Sequence, residues 1–420
     1  MKVGMDLAAL DPLSEDRSSV GHFILRILCA STRAFVAAFL LACPLIFAAG
    51  AVPLEARQLD ATEDLLRRLT EAPGPSAFEE EVRRIVVSEL EALGADIDFD
   101  GLGSVHASLG GAADGPRVMV TAHLDEVGLM VQHVTADGFI RVKNLGGFLG
   151  HAYPDQRWTI LGRDGPVLAL SGLPTVHVST QAQRTQVWSV DDVFLDIGAT
   201  SRSEVEAMGV RPGDGVAPQS PFSVLPNGRY AAKAWDDRVG VAVMIAAARR
   251  IRNESLDLPG QTVWVFTTQE EIGLRGAATA VDHADPDIGI SIEAGVAADY
   301  PGIGSTQAQE RLGGGPGIFL LDSSMIPNRK FRDFFFDVAM AEGIPLQPDV
   351  LTGYGEDGAE IQRYDTGRPA VNMTVPTRYL HSHTGIIQRS DFDQAVELLI
   401  QVLSRLDGDT VGEIASFDPR

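Results

Sequence analysis

The spacing of apolar positions along the chain predicts most of its elements. Positions 61–69 and 77–93 repeat apolar residues at helical spacing, which predicts two amphipathic helices. Glu79, Glu80 and Glu81 fill the first turn of the second, where carboxylates suit the helix dipole. Residues 117–122 predict a short buried strand that runs into His123-Leu124-Asp125-Glu126. Between 128 and 227 the texture changes. Short alternating runs are punctuated by Gly-Gly, Asp-Gly and Pro-Gly, which predicts a small all-β barrel or sandwich. After it, 239–251 predicts a helix, 262–267 and 287–292 predict strands, 313–320 and 369–373 are further candidate strands, and 392–406 predicts a C-terminal helix.

Strands alternating with helices imply an α/β fold: a three-layer catalytic domain with a mainly parallel sheet, interrupted by an inserted small β-barrel domain. The expected division is a leader over 1–55, a catalytic domain over 56–127 and 228–410, an inserted β domain over 128–227 and a tail over 411–420. The leader rests on residues 34–52, which are uncharged and mostly apolar, follow Arg33 and end in Ala48-Ala49-Gly50-Ala51. A basic flank, an apolar stretch and an A-x-A site predict a secretory signal, hence an exported protein, periplasmic or secreted. A stretch of this length can also barely span a bilayer, so a retained N-terminal anchor is the alternative, and would be the only membrane contact. Leu40-Leu41-Ala42-Cys43 faintly matches a lipobox. The segment before the apolar stretch is long for a leader, and a start upstream of the true one would leave the protein cytoplasmic.

Composition narrows the chemistry. The chain has 420 residues, 45% hydrophobic and 22% charged, ordinary values for a globular protein with a sizeable core. Acidic residues outnumber basic ones 57 to 34, a net charge of -23 that repels phosphate backbones and argues against a nucleic-acid partner. Both cysteines, Cys29 and Cys43, precede the main body. A metal site there must use His, Asp and Glu.

Five such clusters fall at predicted strand ends or helix starts, where open α/β sheets bind ligands. The first is His123-x-Asp125, in which the carboxylate could hold one ring nitrogen and fix the tautomer of a metal-bound histidine. The second is Lys233-Ala-Trp-Asp236-Asp237-Arg238. Helix capping needs one aspartate and leaves the other unexplained, and a carboxylate has two oxygens with which to bridge two ions. The third is Gln269-Glu270-Glu271-Ile-Gly273. Adjacent carboxylates repel unless a cation is near or one is protonated, and the preferred division gives metal to Glu271 and protons to Glu270. The fourth is Ser291-Ile-Glu293-Ala-Gly295 and the fifth Arg378-Tyr-Leu-His381-Ser-His383. Each alone has an ordinary reading as a cap, a solvated turn or a buried histidine. Together, three carboxylates and two imidazoles without sulfur suit a pair of ions such as Zn, Co or Mn.

Thr121-Ala-His123-Leu-Asp125-Glu-Val-Gly128, Ala234-Trp-Asp236-Asp237-Arg238, Gln269-Glu270-Glu271-Ile-Gly273 and Pro376-Thr-Arg-Tyr-Leu-His381-Ser382 resemble the tetrahedral aminopeptidases. These are dinuclear metallopeptidases of the glutamyl/leucyl type, some of whose members carry the name cellulase. The likeness spans about residues 65–403. It implies that His123 and Glu293 hold one ion, Glu271 and His381 the other, and that Asp236 bridges them. It makes Glu270 the general base and Asp125 the residue that orients His123. It further implies two divalent ions, peptide substrates, a β-barrel that dimerises and twelve-subunit shells. Glu293 departs from the family, which usually has aspartate there. A retained leader on every subunit would hinder closure of a shell. The alternatives are a related dinuclear carboxypeptidase or deacylase, a glucanase, and a non-catalytic peptide- or metal-binding protein.

Overall fold

The computed structural model describes residues 58–418. Its strands in chain order are β1 (Asp96–Phe99), β2 (Val105–Ser108), β3 (Arg117–His123), β4 (Gly128–Val134), β5 (Ile140–Leu145), β6 (Gln156–Gly162), β7 (Gly165–Ser171), β8 (Phe194–Leu195), β9 (Gly215–Pro218), β10 (Ser223–Leu225), β11 (Arg229–Ala232), β12 (Gln261–Thr267), β13 (Ile288–Val296), β14 (Gly317–Asp322), β15 (Gln347–Leu351), β16 (Ala370–Arg378) and β17 (Gly385–Gln388). Its α-helices are α1 (Ala61–Glu71), α2 (Glu80–Ala92), α3 (Gln181–Thr185), α4 (Arg202–Ala207), α5 (Trp235–Glu254), α6 (Arg275–Ala284), α7 (Arg329–Glu342), α8 (Gly358–Arg363), α9 (Arg389–Leu403) and α10 (Gly408–Ala415).

Local signals start the helices. Asp60 caps α1: it accepts the Glu63 N–H at 2.8 Å, and its own N–H donates back to Glu63 at 3.0 Å. Two N–H groups that the helix leaves free are thereby satisfied. The second helix starts at Glu80 rather than at 77, because Ala77 has φ 72°, outside the helical region.

Among the described residues, the larger sheet has eleven strands in the order β1-β2-β12-β3-β13-β16-β17-β11-β10, with β14 and β15 branching from β16. The central strands β12, β3, β13 and β16 are parallel, with Thr267 beside His123 and Glu293 beside Thr374. The flanking pairs β1–β2, β2–β12, β16–β17, β17–β11 and β11–β10 are antiparallel. The fold is α/β, and its parallel part is the centre, where long crossovers carrying α5 to α8 separate the strands.

Alternation along these strands makes three layers. Val120, Ala122, Trp264, Phe266, Ile290 and Ile292 share a core with α5 and α9, whereas Met119, Val263 and Val265 face α6 and α8. Val411 and Ile414 of α10 are buried in the main core, so a helix occupies residues read from sequence as tail.

The smaller sheet is antiparallel, in the order β7-β6-β9-β4-β5-β8. Leu170 of β7 and Asp196, just past β8, exchange backbone hydrogen bonds of 2.9 and 2.8 Å, so the sheet nearly closes on itself. Trp158, Ile160, Val142 and Leu195 fill it. The β10 strand already belongs to the larger sheet.

Candidate metal centre

The carboxyl ends of the parallel strands converge on one spot. His123 ends β3, Glu270 and Glu271 follow β12, Glu293 lies on β13, and His381 follows β16. Asp236 enters from the start of α5, where it and Asp237 depart from helical angles. The bond joining these two aspartates is cis.

Asp236 is the hub. Its Oδ1 lies 3.1 Å from His123 Nε2, and its Oδ2 lies 3.1 Å from His381 Nε2. Glu293 Oε2 is 3.7 Å from His123 Nε2, and Glu271 Oε2 is 3.5 Å from His381 Nε2. Glu270 Oε2 stands 3.8 Å from His123 Nε2. Two groups result, His123/Asp236/Glu293 and Asp236/Glu271/His381, each with one donor atom per residue within 4.8 Å of the others. The structure thus brings together all seven site residues read from sequence, Asp125 included.

The paired aspartates divide their work. Asp237 Oδ1 accepts the Gly240 N–H at 3.0 Å, the ordinary cap contact, which leaves Asp236 to face the histidines. Asp125 acts differently from expectation in detail. The acceptor nearest His123 Nδ1 is the Asp125 backbone carbonyl at 3.0 Å, with its carboxylate at 3.4 Å. A proton on Nδ1 leaves Nε2 free as a donor to a cation. The Asp125 carboxylate instead accepts from Ser76 Oγ at 2.6 Å and from the N–H groups of Glu270 at 2.9 Å and Glu271 at 3.2 Å.

Two groups escape sequence reading. The Tyr354 hydroxyl lies 3.0 Å from Asp236 Oδ2 and 2.9 Å from the Ala294 carbonyl, across a separation of 118 residues from Asp236. Glu79 is buried behind the turn that carries Glu270 and Glu271. Neither motif nor spacing announces them.

The electrostatics ask for positive charge. Burial pushes the Glu270 and Glu293 carboxyls well above the usual range, and neighbouring carboxylates add to the shift. Burial likewise pushes Glu271 up to about 8, with Asp236 adding to it and His381 opposing it. Burial also works against protonated histidine, yet the surrounding acids outweigh it: Glu270, Asp125 and Asp236 raise His123 well above its ordinary value, and Glu271 and Asp236 raise His381 to about 9. Burial would raise Asp236 too, but the hydrogen bonds from the two histidines hold it below the usual carboxylate range. Glu271 Oε1 is buried and makes no hydrogen bond among the described residues. Four buried carboxylates around two imidazoles fit divalent cations. They border a cavity of about 280 Å³ walled also by Tyr354 and Gly147. Hollows of about 510 and 790 Å³ elsewhere gather no such donor set, so chemistry rather than size marks the site.

Known proteins resemble this chain in sequence and fold. The M42 glutamyl aminopeptidase family model matches residues 103–398. The chain belongs to the M42 aminopeptidase family. It is a metal-dependent peptide hydrolase of the aminopeptidase class. A TET aminopeptidase from a marine-sediment Thaumarchaeota archaeon is similar in structure, with TM-score 0.82 and 37% identity over 84% of this chain and 99% of that one. Lysyl aminopeptidase of Pyrococcus furiosus is 33% identical over 82% of this chain and 97% of its own length. The TET1 peptidase of Pyrococcus horikoshii, described as assembling into a tetrahedron or a large octahedral shell, gives TM-score 0.74 and 28% identity over 82% of this chain and 100% of that one.

Export or membrane anchoring, expected from the leader, is corrected by these relatives. The two TET peptidases are matched over 99% and 100% of their chains, which leaves no leader in them to correspond to residues 1–55. A basic residue before an apolar run is a cue of composition alone, with no packing constraint behind it. Among the described residues, no helix is long and apolar enough to cross a membrane. Residues 1–55 themselves lie outside the described residues.

Proposed function

We propose that this M42 enzyme is a dinuclear aminopeptidase that removes N-terminal residues from peptides, with Asp236 shared between two divalent ions. The observation that carries this reading is the pair of 3.1 Å contacts from the two Asp236 oxygens to two different histidines. One ion would be held by His123, Asp236 and Glu293, the other by Asp236, Glu271 and His381. Nitrogen and oxygen donors without sulfur suit zinc, cobalt or manganese. Such a pair, when bound, polarises the scissile carbonyl and lowers the pKa of nearby water.

The chain supplies the rest. Glu270 takes a proton from the attacking water at its carboxylate and returns it to the leaving nitrogen, the two halves of general base and general acid catalysis. Its backbone N–H, tied to Asp125, fixes where that carboxylate stands. His123 is kept in one tautomer by the Asp125 carbonyl. Tyr354 steadies Asp236. Glu293, one methylene longer than the aspartate usual in the family, still reaches the His123 side of the cluster.

Homo-oligomerisation belongs to the same reading. The shells described for the Pyrococcus horikoshii peptidase support it, and the β unit within 128–227 would form the dimer contact of a twelve-subunit shell. Residues 56–127 and 228–410 would then make the catalytic domain.

The test uses purified protein, metal-stripped and reloaded with zinc or cobalt, on a panel of aminoacyl-anilides. Glu270→Gln should lower kcat by at least about 10²-fold while both metal equivalents stay bound. Full activity of that variant removes Glu270 from the mechanism. Cleavage of N-terminally blocked peptides in preference to free ones would favour a carboxypeptidase or deacylase.

A further inference from the structure

By its place in the sequence, Glu79 belongs to the acidic start of α2. Its side chain makes no hydrogen bond to that helix. It is 2% exposed and turns the other way, where its Oε1 accepts the Ala77 N–H at 2.7 Å and the Gln269 N–H at 3.2 Å. Both donors sit in left-handed backbone, with φ 72° at Ala77 and 56° at Gln269, a conformation unfavourable for any residue with a Cβ. One carboxylate oxygen therefore holds two strained turns together.

The next two residues continue the pattern. The N–H groups of Glu270 and Glu271 point to Asp125, so three successive N–H groups, at 269, 270 and 271, are each held by a buried carboxylate from a distant part of the chain. Successive N–H groups aimed one way form an anion-binding concavity, filled here by the protein's own acids. Glu79 and Asp125 repel one another. Arg83 Nη2, 3.6 Å from Glu79 Oε2, Ser76 Oγ, 2.6 Å from Asp125 Oδ2, and the buried Arg238 guanidinium oppose that repulsion. Two like charges buried side by side are unfavourable unless they are hydrogen-bonded, and most of the bonds these two accept come from the 269–271 turn.

We propose that Glu79 is a positioning residue of the metal centre, which grips the Gln269 N–H and so sets the turn that aims the Glu270 and Glu271 carboxylates. The proposal rests on the roles given above to those two residues. Glu79 acts through the backbone.

Three variants separate this role from a helix-dipole charge. Glu79→Ala removes the acceptor. Glu79→Asp keeps the charge at the start of α2 but withdraws the oxygen by one methylene. Glu79→Gln keeps an oxygen that can accept both N–H groups. Steady-state kinetics on an aminoacyl-anilide should show kcat reduced about tenfold or more for Ala and Asp, with KM within about twofold, because small misplacement of reacting groups acts on turnover. The Gln variant should stay within about threefold of the parent. Hydrogen exchange by mass spectrometry should show faster exchange over residues 268–274 in the Ala and Asp variants and parental protection in the Gln variant. Parental kcat in Glu79→Asp overturns the proposal, as does unchanged exchange over 268–274 in both deleterious variants. A Gln variant as impaired as Ala overturns it too, since charge would then matter rather than the acceptor. Exchange is read without turnover, so failure of the Glu270 assignment would appear in Glu270→Gln alone and leave the exchange result standing. If Glu79→Ala does not fold, the Asp and Gln pair decides.

Discussion

Lys233→Met probes the charged brace behind the metal centre. Lys233 is 3% exposed, with Nζ 2.5 Å from Glu126 Oε1 and 3.2 Å from the Ala72 carbonyl. Burial pulls its ammonium below the ordinary lysine value, and Glu126 opposes that shift. Methionine fills a similar length without charge. Glu126 would keep the Gly74 N–H at 3.0 Å and the Arg238 guanidinium at 3.8 Å, and its Oε2 has no hydrogen-bond partner among the described residues. Leaving one partner of a buried pair uncompensated costs about 3–5 kcal/mol. The remaining guanidinium places the expected loss toward the lower end, about 3 kcal/mol. Adding Glu126→Gln should return more than about 1 kcal/mol of it, because no buried anion is then left unpaired. Urea unfolding of the three proteins, followed by tryptophan fluorescence at fixed metal saturation, measures both differences. A single variant within about 1 kcal/mol of the parent, or a double variant no more stable than the single, would refute the reasoning.

Two further outcomes follow from named contacts. Tyr354→Phe removes the hydroxyl 3.0 Å from Asp236 Oδ2 and should weaken metal binding about tenfold or more, read by chelator competition; unchanged affinity would detach Tyr354 from the site. Glu310 is buried, and burial raises its carboxyl to about 8 while the Thr374 hydroxyl opposes the shift. Since an unfolded glutamate titrates near 4.3, the folded form binds the extra proton between about 4.3 and 8. Stability from this group is full below that window and is lost as pH rises through it. Glu310→Gln should therefore match the parent near pH 4.5 and exceed it at pH 8; parallel stability–pH curves would contradict this.

What the sequence reveals is local, and what it hides is long-range. His123, Glu293 and the Glu270-Glu271 pair stand on or just past apolar strands, so a pattern of burial followed by a carboxylate or imidazole exposes them. Asp236 is legible because a cap needs one aspartate and two are present. By contrast, Tyr354 reaches Asp236 across 118 residues and Glu79 reaches Gln269 across 190, distances no periodicity spans. The Asp125 carboxylate is legible as a site residue, but its grip on the Glu270 and Glu271 N–H groups is not, since backbone donors carry no sequence mark. Sequence reading passes over the helices α6 and α7, although their apolar residues gather on one face more clearly than those of α5. The flanks of the sheet come out antiparallel because strand order depends on which edges are free, not on the strands' own composition. His106 is buried against His283 with ring centroids 4.3 Å apart, a pairing across distant segments that sequence does not mark.

The central claim is a pair of cations sharing Asp236. Anomalous diffraction at the zinc edge, from crystals grown with zinc-loaded protein, tests it most directly. Two peaks per chain are expected, about 3.5–4 Å apart, one on the His123–Glu293 side of Asp236 and one on the Glu271–His381 side. A single peak there, or metal bound only at sites remote from Asp236, would contradict the account.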